Sequence, residues 1–111
     1  MQSSKKGMVI KMGKQYYTEY GLHMLRLYFR HNISSIQNDI SILNWTAVEK
    51  VVMSDIYSEI QREIFKDIFT SNRSFYDNIA ATSIKHKTDE NKIYNLVYSL
   101  VNKVVKERGL I

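Results

Sequence analysis

Glu19 and His23, four residues apart, form a carboxylate–imidazole pair that a helix would bring onto one face. That pair could move a proton, but acid–base catalysis also needs a reacting group within hydrogen-bond reach, and nothing nearby signals one. On a helix surface such a pair is far more often two solvated neighbours. His23, His31 and His86 do not recur at three or four residues, so no helix presents a two-histidine metal face. Asp89 and Glu90 are adjacent carboxylates that invite a cation, yet acids at the start of an apolar-periodic run are what the positive end of a helix dipole selects. The 111-residue chain has no cysteine, which excludes disulfides, thiolate nucleophiles and cysteine-built zinc sites. Phosphate loops, Gly-x-Ser-x-Gly and His-Glu-x-x-His are absent as well. The expectation is a protein with no catalytic residue, no metal and no cofactor, and hence not an enzyme.

The remaining chemistry is charge recognition. Lys85, His86 and Lys87 form a basic connection, with Lys92 shortly beyond it and Arg73 upstream. Lysine and arginine there would contact phosphates, with an affinity that falls steeply with salt. Asn91 or Asn95 could pair with an adenine edge. If the partner is double-stranded DNA, Arg73, Lys85, His86, Lys87, Asn91 and Lys92 would be the contacts, with Asn95 and Tyr94 as second choices. The charge distribution permits this. The net charge of +5 is concentrated at the two ends, because residues 1–14 hold four lysines and no acid, and residues 84–111 hold six bases against three acids. Solvated terminal segments explain the same distribution without any polyanion.

Positioning these residues falls to helices. Proline is absent and only four glycines occur, too little turn punctuation for a many-stranded fold. Residues 15–31 show a wide apolar face, with Tyr17, Gly21, Met24 and Tyr28 on one row and Leu22, Leu25 and Phe29 beside it. Gly21 costs about 1 kcal/mol against alanine in a helix and would allow a close crossing there. Residues 32–43 read as a long loop or a short helix. Asn44 is the expected cap of a helix over 45–53, with Trp45, Val48, Val51 and Val52 facing inward. Residues 55–69 form the clearest amphipathic pattern, with Ile56, Ile60, Ile64 and Ile68 on one row. Ser74 would cap a short helix over 75–82, residues 83–87 would link it onward, and Thr88 would cap a last helix over 89–108. That last helix carries Ile93, Leu96, Val97, Leu100, Val101, Val104 and Val105 as a continuous stripe and ends at Gly109.

Within the C-terminal half, Ile60-Gln-Arg-Glu-Ile-Phe, Ser74-Phe-Tyr-Asp-Asn-Ile-Ala and Lys92-Ile-Tyr-Asn-Leu-Val resemble the C-terminal promoter-binding region of bacterial sigma factors. Small phage-encoded transcriptional regulators are similar to the same region. The resemblance covers about half of the chain and implies a helix-turn-helix. Two departures stand out. The glycine that usually marks the family's turn is replaced by a longer link, Ser83 to Lys87. Asp89 and Glu90 stand where the family's second helix meets bases and phosphates.

These readings converge on an all-α, compact bundle of four or five helices with a helix-turn-helix-like C-terminal half. Residues 1–14 would be a flexible basic arm, with Met8 or Met12 as an alternative start, and 15–111 a single helical domain. The expected function is a small DNA-binding transcriptional regulator of phage or mobile-element type, acting in the cytoplasm. A homodimer would form through the Tyr-rich first helix. The alternative is a helical protein-binding adaptor, or an inhibitor of a host nucleic-acid-processing protein, in which case the partner is a host protein. No stretch of roughly 20 apolar residues is present to span a membrane.

Overall fold

The apolar residues recur at helical spacing along almost the whole chain, and helices are what forms. The computed structural model describes residues 2–111, with side chains from Tyr16 onward. Five α-helices follow one another, α1 (Gln2–Arg30), α2 (Asp39–Val52), α3 (Glu59–Thr70), α4 (Phe75–His86) and α5 (Glu90–Glu107), with a 3₁₀ turn at Ile33–Ser35. The all-α expectation holds, and no strand occurs among the described residues. Helix α1 is assigned from Gln2, well before the start near 15 that the apolar period suggests. The basic arm expected over 1–14 lies outside the residues whose side chains are described.

Three helix starts show how capping chemistry decides boundaries. Asn38, not Asn44, caps α2, its side-chain oxygen accepting from the Ile40 and Ser41 amides at 2.9 and 3.3 Å. Asn44 lies inside α2 and is buried. Its amide donates to the Tyr20 hydroxyl at 2.9 Å, and its oxygen accepts from Arg108 Nε at 2.8 Å. Asn38 precedes Asp39 and Ile40, Asn44 precedes Trp45, and both are cap-forming residue types ahead of an apolar stretch. Distant partners on α1 and beyond the end of α5 satisfy a buried amide that the sequence alone leaves unassigned.

Helix α3 starts at Glu59 because Ser58 and Gln61 close a reciprocal capping box, with N–O distances of 2.9 and 3.2 Å. The expected helix over 55–69 therefore loses its first turn. Ile56 and Ile60 are exposed, at 57% and 64%, and the isoleucine row enters the core only at Ile64, where α1 and α4 cover α3. Tyr57 is buried outside the helix and meets Phe65 edge-on at 5.1 Å.

Ser74 caps α4 as expected, its Oγ accepting from the Asp77 amide at 3.2 Å. Helix α4 then runs four residues beyond the expected end at 82, to His86. Asn78 anchors it by donating to the carbonyls of Ile68 and Arg73, at 2.8 and 3.2 Å.

The core is built from Met24 and Leu25 of α1, Val48 and Val52 of α2, Phe65 and Phe69 of α3, Ile79 of α4 and the stripe of α5. Helix α5 packs against α1, α2 and α4. Gly21 makes the first of these contacts possible. A Cβ at that position would lie 2.7 Å from Val101 Cγ1 and 2.9 Å from Val105 Cγ2. Valine side chains in a helix hold one strongly preferred rotamer, so neither methyl can swing aside cheaply. At the far end, Gly109 takes φ +82°, and Leu110 turns back to donate its amide to the Val105 carbonyl at 3.1 Å.

Helix propensity alone favours Gly21→Ala by about 1 kcal/mol. The crossing with α5 predicts the reverse. Overpacking of this kind costs about 1–3 kcal/mol, so the variant is expected to unfold at lower urea than wild type. A gain in stability would show that α1 and α5 do not approach this closely.

Candidate nucleic-acid interface

The link between α4 and α5 is three residues, Lys87-Thr88-Asp89, rather than the longer Ser83–Lys87 link expected. Lys87 occupies the left-handed region at φ 51°, ψ 43°. The Thr88 amide donates to the Ser83 carbonyl at 3.1 Å and the Lys87 amide to the Ile84 carbonyl at 3.4 Å, so the last turn of α4 is closed by a Schellman motif. Glycine usually fills that left-handed position, and a lysine there carries a backbone penalty. Without a glycine to mark it, the sequence pattern placed the end of α4 too early. Thr88, expected to cap α5, instead donates its hydroxyl to the His86 carbonyl at 3.1 Å. Asp89 is the N-cap residue and makes no side-chain capping bond.

The expected contact residues differ in what already engages them. Lys85 Nζ lies 3.0 Å from Asp67 Oδ2 on α3, and His86 Nε2 lies 2.7 Å from the same oxygen. The His86 side chain is 13% exposed and faces inward against α3. Arg73 is exposed just before α4, whose 12 residues span about 18 Å up to the turn at Lys87. Lys87, Asn91, Lys92 and Asn95 remain exposed on the turn and the first two turns of α5. Asp89 and Glu90 offset much of their positive charge.

Several cations are committed elsewhere. Arg30 closes the end of α3 by donating to the Phe69 and Ser71 carbonyls, both at 2.8 Å. Arg62 does the same for α2 at the Val52 and Ser54 carbonyls, at 2.9 and 3.0 Å. Arg108 holds Asn44. Arginine suits this work because its fork satisfies two orphan carbonyls at once.

Two features escaped the sequence reading. Phe75, Tyr76, Tyr94 and Tyr98 form an aromatic cluster, with Tyr94 and Tyr98 stacked at 6.3 Å and Phe75 edge-on to both. Phe75, Tyr76 and Tyr98 line a groove of about 560 Å³ together with Leu22 and Arg26 of α1. Partial desolvation, with Glu90 and the neighbouring tyrosines, raises the Tyr94 pKa; desolvation and Tyr76 raise that of Tyr98. Both therefore present neutral hydroxyls at physiological pH. The i,i+4 spacing of Tyr94 and Tyr98 was the available signal. The second feature is the continuation of the expected Asn91, Lys92 and Asn95 along the outer face of α5, where Tyr98, Ser99, Asn102, Lys103 and Lys106 are also exposed. No acidic residue occurs from Lys92 to Lys106.

The Tyr-rich face of α1 is largely occupied within the chain. Tyr20 bonds Asn44, Tyr28 lies against Trp45 at 5.0 Å, and Phe29 stacks on Phe69 at 5.9 Å. Tyr16, 63% exposed, is what that face leaves outside. Among the described residues no group of three or more histidines and carboxylates is placed to hold a metal, and no helix is long and apolar enough to cross a membrane.

Asp67 ties α3 to the end of α4, and its charge state sets how firmly. Burial pushes its carboxyl up, but hydrogen bonds and charge from His86 and Lys85 outweigh this and hold it below the ordinary value of 3.8. A lowered folded-state value means that the stabilisation is complete above 3.8 and is lost as pH falls through the folded value. Asp67→Asn is expected to lower stability by less than about 1 kcal/mol at pH 7, since the group is partly solvated. Urea titrations across the acid range should show variant and wild type converging as pH drops; a difference independent of pH would contradict the linkage.

Comparison of the chain with protein-family models, with curated proteins and with solved structures found no match.

Proposed function

We propose that this protein is a DNA-binding regulator of phage or mobile-element type, in which α4 and α5 act as a helix-turn-helix. The observation that carries this reading is the three-residue turn with Lys87 in the left-handed region. A link of three residues, with a left-handed residue where glycine is common, is the turn length that such motifs use and supports this reading. The turn leaves Asn91, Lys92 and Asn95 exposed where α5 begins. Asparagine side chains can pair with adenine through two hydrogen bonds, and lysines bind phosphate as point charges. Lys85 and His86 are assigned a supporting role, because Asp67 already engages both.

A second reading is favoured by the groove beside Phe75, Tyr76 and Tyr98. Tyrosine and arginine are enriched at energetic centres of protein interfaces, and Arg26 borders this groove. A helical adaptor or inhibitor would use that surface and leave the turn unoccupied.

Lys87→Gly separates the readings well, because glycine suits the left-handed backbone and the substitution removes only a charge. Gel-shift titration of random-sequence duplexes over a salt series should show binding that weakens steeply with salt. Lys87→Gly and Lys92→Ala should each reduce the slope of log affinity against log salt by about 0.9 while leaving the helical circular dichroism intact. Absence of any duplex binding at low salt by the folded protein would remove the DNA reading and leave the protein-binding one.

A further inference from the structure

We propose that Lys103 and Lys106, at the opposite end of α5 from the turn, form a second phosphate-binding locus. Helix α5 then lies across the major groove of duplex DNA along its length, instead of entering by its N-terminus. This inference rests on the DNA-binding reading above.

The first argument is electrostatic. Asp89 and Glu90 open α5, so a phosphate meets two carboxylates at the end where a helix dipole would otherwise attract it. Beyond them, the exposed face is free of acid as far as Lys106. Glu107 follows, but its carboxylate is 2.7 Å from Lys50 Nζ and is already neutralised by it. Lys103 and Lys106 border a groove of about 460 Å³ that Lys50 and Ser54 also line. Among the described residues, neither Lys103 nor Lys106 makes an ion pair. Lys103 Nζ donates to Ser99 Oγ at 2.6 Å, an exposed bond that a phosphate oxygen can replace.

The second argument is spacing. Lys92 and Lys103 are separated by about 16 Å along the helix, and Lys92 and Lys106 by about 21 Å. The major groove is about 12 Å wide, and a flexible lysine stem can fold several ångströms back toward its wall at each end. Lysines at the two ends of α5 therefore match the two phosphate walls of the groove. Between them Asn95, Ser99 and Asn102 are exposed, and Asn95 and Asn102, seven residues apart, share one side of the helix. The base-reading positions then fall in the middle of α5.

The experiment is fluorescence anisotropy of the full chain with a labelled random-sequence duplex and with one of its single strands, each over a salt series. Lys103→Ala/Lys106→Ala is compared with Lys87→Gly/Lys92→Ala. The substituted lysines are exposed, and circular dichroism checks that the variants stay helical. The Lys103/Lys106 double variant is expected to lose about 1.8 from the salt slope and to bind the duplex more weakly. The single strand should bind wild type more weakly than the duplex does. An unchanged slope in this variant, with a reduced slope in Lys87→Gly/Lys92→Ala, would overturn the second locus and leave the turn as the DNA site. A reduced slope here with none in the other variant would overturn the placement of α5 across the groove, which needs Lys92 at the opposite wall, and would remove the turn. Equal binding of duplex and single strand, or no salt-dependent binding at all, would overturn the groove placement.

Discussion

The close approach of α1 and α5 at Gly21 organises the molecule. Val101 and Val105 fill the space a side chain at Gly21 would need. That contact joins residues 80 or more positions apart, and it fixes the rotation of α5 about its own axis. With Ile93, Val97, Leu100 and Val104 turned inward, the positions between them have only one direction left. The acid-free row of asparagines and lysines on α5 is exposed because the valines opposite it are not. A change in that crossing would rotate the outer face as well as loosen the core.

Cations are divided between two tasks by side-chain type. Arg30 and Arg62 reach across to free carbonyls at helix ends, and Arg108 reaches to the buried side-chain amide of Asn44. The lysines of α5 stay in solvent. Compact ammonium groups on flexible stems suit phosphates whose position varies, whereas a planar fork suits fixed carbonyl pairs. The net charge of +5 therefore overstates what the described residues turn toward a partner in arginine, and understates what α5 offers in lysine.

Much of this was legible in the sequence where the determinants are local. The all-helical class, the apolar stripe of α5, the Ser74 cap and the Gly109 terminus all follow from spacing and capping within a few residues. Gly21 as a close crossing was legible too, although its partners were not. The failures share a cause. Asn44 read as a cap because its partners, Tyr20 and Arg108, are remote in sequence. Ile56 and Ile60 fit the period of a buried row, but Ser58 and Gln61 start the helix between them. The end of α4 was hidden because a lysine holds the left-handed position. In the candidate interface, residue types were readable while availability was not. Nothing local shows that Asp67, on another helix, engages Lys85 and His86, or that Phe75 meets Tyr94 and Tyr98.

The proposed meeting of the outward row of α5 with DNA is tested by titrating ¹⁵N-labelled protein with a short duplex and following amide chemical shifts. The side-chain amides of Asn91, Asn95 and Asn102, and the backbone around Lys92 and Lys103, should move together, while the buried Asn44 and Asn78 amides stay in place. Movement confined to the residues around Phe75, Tyr76 and Arg26, or no movement anywhere at low salt, would contradict it.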